Sequence, residues 1–492
     1  MVSTIVASAR ARPLLLGAVS IFLLLSTVYT LSVGLRATNG SSITGDEPFY
    51  LVTTQSLLQD GDLDLGNQYE RESWRSFFDH PAGLWKQMVP AADGRLVSPH
   101  DPGLSVLLMP GFALDGLRGA QAQLLLLAAL TMSLAYVLAA RETGLPLLSW
   151  LAAATIGLSA TAFVYSTEVY PEFPAALCLV LGLLLVRGRP GNLLDGLLLA
   201  TLLSALAWLG IKYVSLGAII GVYFLSRASM EGRGGFLALA AVSGATYVWA
   251  HYAIFGDLTP YSINTVYEGA PAVDVLQSHI SIEDRAYRVW GLFIDRRFGI
   301  GRWAPLLLFI LPALPLLLAR GRLGWAVAAL IGAQVLIATF VAITMMGWWF
   351  PGRTLLAVLP LFVLVIVALI EALPRLLRAG MALLGVYSLA VTGALILASR
   401  SQEIRLAVDP FDMNATVFQI TAPLFPQYTA WGLETVLLTI AWLTIGIATL
   451  FGLTLRAHGE ALTALAARPR HAQPGTRSGI VARHAPARGE GP

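Results

Sequence analysis

Residues 13–35 read PLLLGAVSIFLLLSTVYTLSVGL, an apolar run without a charge, with Arg10 and Arg12 ahead of it and Arg36 behind. As a helix rising about 1.5 Å per residue, a run of this length crosses the roughly 30 Å of a bilayer's hydrocarbon. The basic residues in front match the start of a secretory signal, but the run exceeds the ~7–15 residues of a signal core, and no small-residue cleavage site precedes Arg36. It is expected to be an uncleaved first span. Similar runs recur as far as Leu455, separated by short polar breaks. With 56% hydrophobic and 12% charged residues and a mean hydropathy of +0.70, the chain has too little polar surface to cover a water-soluble globule. The fold class is therefore an all-α polytopic membrane protein.

Arg and Lys flanking the spans mark the cytoplasmic side, so each break can be assigned. Arg10 and Arg12 put the N-terminus inside, and the loop 36–101, with ten acids against five bases, suits the outside. Segment 102–117 is short for a span and is interrupted by Pro110 and Asp115; crossing there would also invert every later loop. It is read as a re-entrant or interfacial helix on the outer face, within a first outer loop of 36–118. Spans are expected at 120–140, 146–166, 171–187, 192–210, 213–227 and 235–255, then at 302–319, 324–345, 354–373, 380–398 and 431–455. That gives about twelve transmembrane helices in a domain covering 1–455, further outer loops at 257–300 and 399–430, and both termini cytoplasmic. The tail 456–492 holds six Arg and two Glu and shows no apolar period, the composition of a disordered basic segment.

Cys178 is the single cysteine and lies in an apolar run, which rules out an intramolecular disulfide. The chain has no Walker loop, Gly-rich dinucleotide fingerprint, HExxH or paired CxxC, so nothing in it points to direct use of ATP or NAD, or to nucleic acid as a partner. No cofactor is assigned, and a divalent metal is left open. The polar residues that remain gather on the outer side. Gly45-Asp46-Glu47-Pro48-Phe49-Tyr50 puts two carboxylates just beyond the first span, followed by an amphipathic stretch, 49–58, expected to lie along the headgroups. Asp60-Gly61-Asp62-Leu63-Asp64 lacks the later Gly and Glu of a calcium loop and reads as a turn. Ser98-Pro99-His100-Asp101-Pro102-Gly103 leads into the interfacial helix.

The order of these features, together with Tyr165-Ser166-Thr167-Glu168-Val169-Tyr170-Pro171-Glu172, Leu209-Gly210-Ile211-Lys212-Tyr213, Phe293-Ile294-Asp295-Arg296-Arg297-Phe298-Gly299-Ile300 and Gly347-Trp348-Trp349-Phe350-Pro351-Gly352-Arg353, resembles the GT-C superfamily of polyprenyl-phosphate-dependent glycosyltransferases. That superfamily includes the protein O-mannosyltransferases and the lipid A aminoarabinose transferases. The resemblance spans roughly residues 10–400 and lies in the order and sidedness of short motifs. It implies a GT-C-like bundle, a polyprenyl-phosphate-linked sugar as donor, a glycan, lipid or protein as acceptor, and the first acid of the pair, Asp46, as base. No long soluble module follows the last span, which leaves the acceptor open.

Elementary chemistry agrees with that reading. A sugar on a polyprenyl phosphate already carries a good leaving group, so the enzyme needs a base and cations. Asp46, with Glu47 beside it, is expected to take the proton of an acceptor hydroxyl, its basicity raised by burial. His100 and Asp101 at the same membrane depth, and Lys212, Arg296, Arg297 and Arg353 at the outer ends of spans, are expected to bind the phosphate and sugar. Each has a simpler reading. The acids can cap the following helix, Lys212 can snorkel, Arg296 and Arg297 can pair with Asp295 or lipid, and Trp348 and Trp349 can belong to an aromatic belt. Glu168 and Glu172 share a helical spacing, but Pro171 between them marks a helix break rather than a metal pair. The sequence is thus read as an inverting hexosyl- or pentosyltransferase of the cell membrane, acting at the outer face. A secondary transporter or lipid flippase is the alternative, and a non-catalytic scaffold the third reading.

Overall fold

Burial separates the apolar helices into a centre and a rim. In the computed structural model, which describes residues 2–87, 89–91, 93–187, 191–255, 282–342 and 344–466, seven helices are long and apolar enough to cross a membrane, and five shorter apolar helices lie between them. Together they coincide with the twelve expected spans. Helix Arg353–Ala372 is the central one, with 89% of its apolar window buried, whereas Arg12–Ser32, Met230–Ile254 and Leu433–His458 are only 11–17% buried. Their outward faces carry Leu15, Leu16, Leu23, Val242, Trp249, Ile447 and Phe451, all exposed. A soluble protein does not expose apolar stripes of this extent; lipid covers them in a multi-pass membrane protein.

Helix Gly103–Thr143 contains a sharp reversal. Asp115 (φ −155°, ψ 41°) and Gly116 (φ 51°) leave the helical region. The chain folds back so that the Gln123 side chain accepts from Gly111 N at 2.9 Å and donates to Leu107 O at 2.6 Å. The segment before the reversal therefore pairs with the start of the span that follows and does not continue it, as expected for 102–117.

Helix Glu47–Gln59 differs from its expected place. Residues Glu47 to Ser56 are all buried, so it is not a half-exposed surface helix. It packs against helix Gly103–Thr143, where Ser105 Oγ donates to Tyr50 O at 2.9 Å and Thr54 Oγ1 to Ser105 O at 3.1 Å. Thr53 Oγ1 also turns back to Phe49 O. With its hydroxyls bonded internally, the polar face needs no water, and the segment is buried whole.

The acidic turn at 60–64 is an ordinary hydrogen-bonded turn. Asp62 Oδ1 accepts from Ser56 Oγ and Asp64 N, and Asp64 Oδ1 from Gly66 N and Leu96 N. A two-residue antiparallel ribbon, Val89 opposite Val97 and Pro90 opposite Leu96, closes the loop. The last helix runs from Leu433 to Ala466, past the expected boundary at 455. Residues 467–492 and the part of the expected outer loop at 256–281 lie outside the described residues.

Candidate active site

Two left-handed glycines set the geometry, each directly ahead of a key side chain. Gly45 (φ 61°) precedes Asp46 and Gly352 (φ 92°) precedes Arg353. A Cβ on Gly45 would lie 2.8 Å from the Tyr170 hydroxyl, and one on Gly352 2.7 Å from Ile300 Cγ2 and 2.8 Å from Thr161, so only glycine fits either place. The segment before Arg353 is tied down by Thr161 Oγ1, which donates to Pro351 O at 3.1 Å, and by the Tyr165 hydroxyl, which donates to Phe350 O. These ties aim the guanidinium at Asp46.

Arg353 Nη2 stands 2.9 Å from Asp46 Oδ2, and its Nε 3.3 Å from Glu172 Oε1. Lys212 Nζ reaches the same Glu172 oxygen at 3.2 Å. Lys212 lies in the short turn Ile211–Tyr213 that Gly210 introduces between two spans. The Arg353 guanidinium also covers the Tyr170 ring at 3.7 Å and the Trp349 ring at 5.4 Å. Two cations and two carboxylates thus form one network under an aromatic cover.

His100 stacks on Tyr50 with centroids 4.9 Å apart, and its Nε2 lies 3.9 Å from Asp46 Oδ1. That nitrogen is buried and has no hydrogen-bond partner among the described residues. Burial pushes the imidazole below its usual value, against the pull of Asp46. Asp101 is held from behind: its Oδ1 accepts from the Tyr247 hydroxyl at 3.0 Å and lies 2.9 Å from His251 Nε2.

Asp46, His100, Asp101, Lys212 and Arg353 all line one cavity of about 190 Å³. Ile211, in its wall, also lines an apolar groove of about 300 Å³ between the helices that contain Trp208, Val214 and Tyr247. Asp46 in turn also lines a larger cavity of about 680 Å³ on its other side.

Three expectations require correction. Asp46 is not a helix cap, since its side chain makes no capping bond to the helix it precedes. Nor is its basicity raised: burial alone would push the carboxyl up, but Arg353, His100 and Lys212 outweigh it and hold the group below its usual value. Glu47 lines neither cavity next to Asp46. It is buried with Oε1 on Thr44 N at 3.0 Å and Oε2 on Val169 N at 2.9 Å, joining two loops. Burial pushes its carboxyl up to about 7, against those two N–H groups. Beside it Glu168 is also raised well above its usual value, by burial first and then by Glu47.

Arg296 and Arg297 are engaged elsewhere. Arg296 donates to Phe425 O at 2.9 Å and pairs with Glu434 at 2.5 Å, while Arg297 covers the Phe411 ring at 4.3 Å. Neither lines the cavity of Lys212 and Arg353. Asp295 bonds the backbone N–H groups of Arg297, Phe298 and Tyr428, so it serves as a turn acceptor.

Glu172, expected from sequence only to mark a helix break beside Pro171 rather than a metal pair with Glu168, joins both Lys212 and Arg353. The sequence reading passed over His251 and Tyr247, although a histidine inside the span 235–255 is itself a signal, because an ionisable side chain at that depth needs a partner. Among the described residues no three His, Cys, Asp or Glu side chains gather as a metal site.

No protein-family model matches the chain, and no curated protein matches it. It is similar to two crystal structures of ArnT from Cupriavidus metallidurans. One is the apo state, at a TM-score of 0.46 and 14% identity over 89% of this chain and 77% of that one. The other is bound to undecaprenyl phosphate, at a TM-score of 0.47 and 14% identity over 90% and 75%.

Proposed function

We propose that the protein is an inverting glycosyltransferase that moves a sugar from a polyprenyl phosphate to an acceptor hydroxyl, with Asp46 as base. One observation carries this reading: Asp46 lies where a small cavity lined by Lys212 and Arg353 meets a larger one whose described lining has no lysine or arginine. The small cavity suits the phosphate. Lys212 supplies a point charge and Arg353 a planar fork, both now occupied by Glu172 and Asp46 and so available to a stronger anion. The apolar groove that shares Ile211 gives the polyprenyl chain a place next to its own phosphate.

Asp46 removes the proton from the acceptor hydroxyl as that oxygen bonds to the anomeric carbon. The bond from this carbon to the phosphate oxygen breaks, its electron pair leaves with the phosphate, and Lys212 and Arg353 hold the charge that develops. A single displacement of this kind inverts the anomeric centre. His100 can donate from its neutral imidazole to a sugar or phosphate oxygen. Asp101, tied to Tyr247 and His251, positions the loop that carries His100, and Glu47 positions the loop that carries Asp46.

Purified full-length protein in lipid nanodiscs, supplied with polyprenyl-phosphate-linked hexoses and pentoses, is expected to release polyprenyl phosphate as the sugar moves to an added acceptor. Movement of a solute across sealed vesicles with no sugar transfer would establish the transporter instead.

A further inference from the structure

We infer that the larger cavity beside Asp46 is the acceptor site and takes a sugar ring of a neutral glycan. This rests on the proposed role of Asp46. The cavity measures about 680 Å³, in the range of roughly 300–1,000 Å³ typical of ligand sites. Two features of its wall define the occupant.

The first is charge. Among the described residues of the lining, Asp46 is the only Asp, Glu, Lys or Arg. Arg36, in the adjoining loop, is paired with Asp79 at 2.9 Å, and Asp79 also accepts from Ser42 N, while Arg353, behind Asp46 and Trp349, is already paired with Asp46 and Glu172. An acceptor phosphate or carboxylate would lose hydration here and face the Asp46 carboxylate, with no lysine or arginine among the described lining residues to pair with. A neutral ligand avoids that cost.

The second is the aromatic surface. Trp85 is 48% and Trp348 63% exposed, although both line the cavity. Trp85 is braced edge-on by Phe49 at 5.4 Å and Phe78 at 6.0 Å, which fixes the face it offers. The C–H face of a pyranose or furanose ring carries slight positive charge and packs on the electron-rich face of an indole. Hydroxyls at the ring edge require polar partners, and exposed Asn39, which has no hydrogen bond to the protein among the described residues, offers both a donor and an acceptor. Tryptophans of a membrane belt ring the periphery; these two face one cavity that ends at the base.

The test uses full-length protein in nanodiscs and no donor, so a failure of the donor reading leaves it interpretable. Neutral trisaccharides of glucose, mannose, galactose and arabinose are screened by saturation-transfer NMR. At least one is expected to bind, roughly 3- to 10-fold more weakly in Trp348→Ala or Trp85→Ala, with Trp348→Tyr restoring most of the loss. Polyprenyl phosphate binding, measured in parallel, is expected to be unchanged in both Ala variants. Absence of binding by every neutral sugar, full binding in the double Ala variant, or preferential binding of glucose 6-phosphate at this site would each overturn the proposal. Loss of polyprenyl phosphate binding in the wild type would instead remove the donor reading alone.

Discussion

Arg353 and Asp46, 307 residues apart in sequence, form an ion pair at 2.9 Å where the two cavities meet. Under the proposed function, the cation that would meet a donor phosphate is thus also the group that keeps the Asp46 carboxyl below its usual value. When a phosphate draws the guanidinium away, Asp46 loses its main counter-charge and its proton affinity rises. The base is expected to strengthen only with donor in place, which protects the site from taking up a proton while idle.

Replacing Arg353 should affect two measurements. Arg353→Leu removes a charge-assisted contact worth about 1.5–3 kcal/mol, so polyprenyl phosphate affinity should fall roughly 10- to 150-fold. It also takes from Asp46 its ion-pair partner and leaves Glu172 with Lys212 alone, and breaking a buried pair in this way costs about 3–5 kcal/mol of stability. Arg353→Lys should recover much of the stability and less of the affinity. Binding unchanged in both variants would remove Arg353 from the donor site.

Asp46→Asn keeps the side chain's shape but removes the base. Transfer should fall about 100- to 10,000-fold with donor binding largely kept. Because Asp46 makes no capping bond, any fall in thermal stability should come from the weakened pair with Arg353 and not from the helix end. Near-normal turnover would exclude it as base.

The buried acids predict a slope of stability with pH. Glu47 and Glu168 hold their protons more tightly folded than unfolded, so as pH rises the unfolded chain releases them first. Their share of stability is complete below about pH 4.5 and is lost as pH climbs, toward about 7 for Glu47, with Glu168 acting in the same direction. Melting temperature in nanodiscs should therefore drop from pH 5 to pH 8, and Glu168→Gln should flatten the drop. A melting temperature that rises over this interval would contradict the assignment.

Gly352→Ala combines backbone strain with a collision against Ile300 and Thr161, whereas Gly94→Ala, at φ 88° with open space around it, carries the strain alone. Strain of this kind costs about 1–3 kcal/mol. Only Gly352→Ala should weaken polyprenyl phosphate binding, because only there does the displaced backbone carry Arg353. Equal effects in the two variants would show that the close packing at Gly352 plays no part.

Sidedness can be read with an impermeant thiol reagent. With Cys178 replaced, Ser73→Cys and Ser478→Cys should be labelled from opposite sides of sealed vesicles. Labelling from one side would break the twelve-span topology.

The spans were legible because their signal is long and needs only composition. Asp46, His100, Lys212 and Arg353 were legible because a charge next to an apolar run stands out. What escaped was pairing. Glu172 gave only a helix-break signal beside Pro171, and nothing in sequence shows that one of its oxygens receives both Lys212 and Arg353. Arg296 and Arg297 looked equal to Arg353, but the backbone at 425–427 and the Phe411 ring occupy them, and neither contact leaves a mark at residue 296. The expected surface helix at 49–58 failed for a related reason. Its hydroxyls suggested water, and in the fold they bond to their own backbone.

The separation of Asp46 from Arg353 also bears on how the protein is made. At ~5–20 residues per second, roughly 15–60 s pass between synthesis of the acid and synthesis of its counter-charge. Throughout that interval a nascent chain carries Asp46, and later Glu172, without the guanidinium that pairs with them, beside a helix that has yet to be roofed. The acidic loop is therefore a late-maturing part of the molecule, and limited proteolysis of ribosome-stalled chains should find it cleavable until residue 353 has emerged and resistant soon after. Premature stops ahead of residue 353 would then yield an unprotected fragment for quality control to clear.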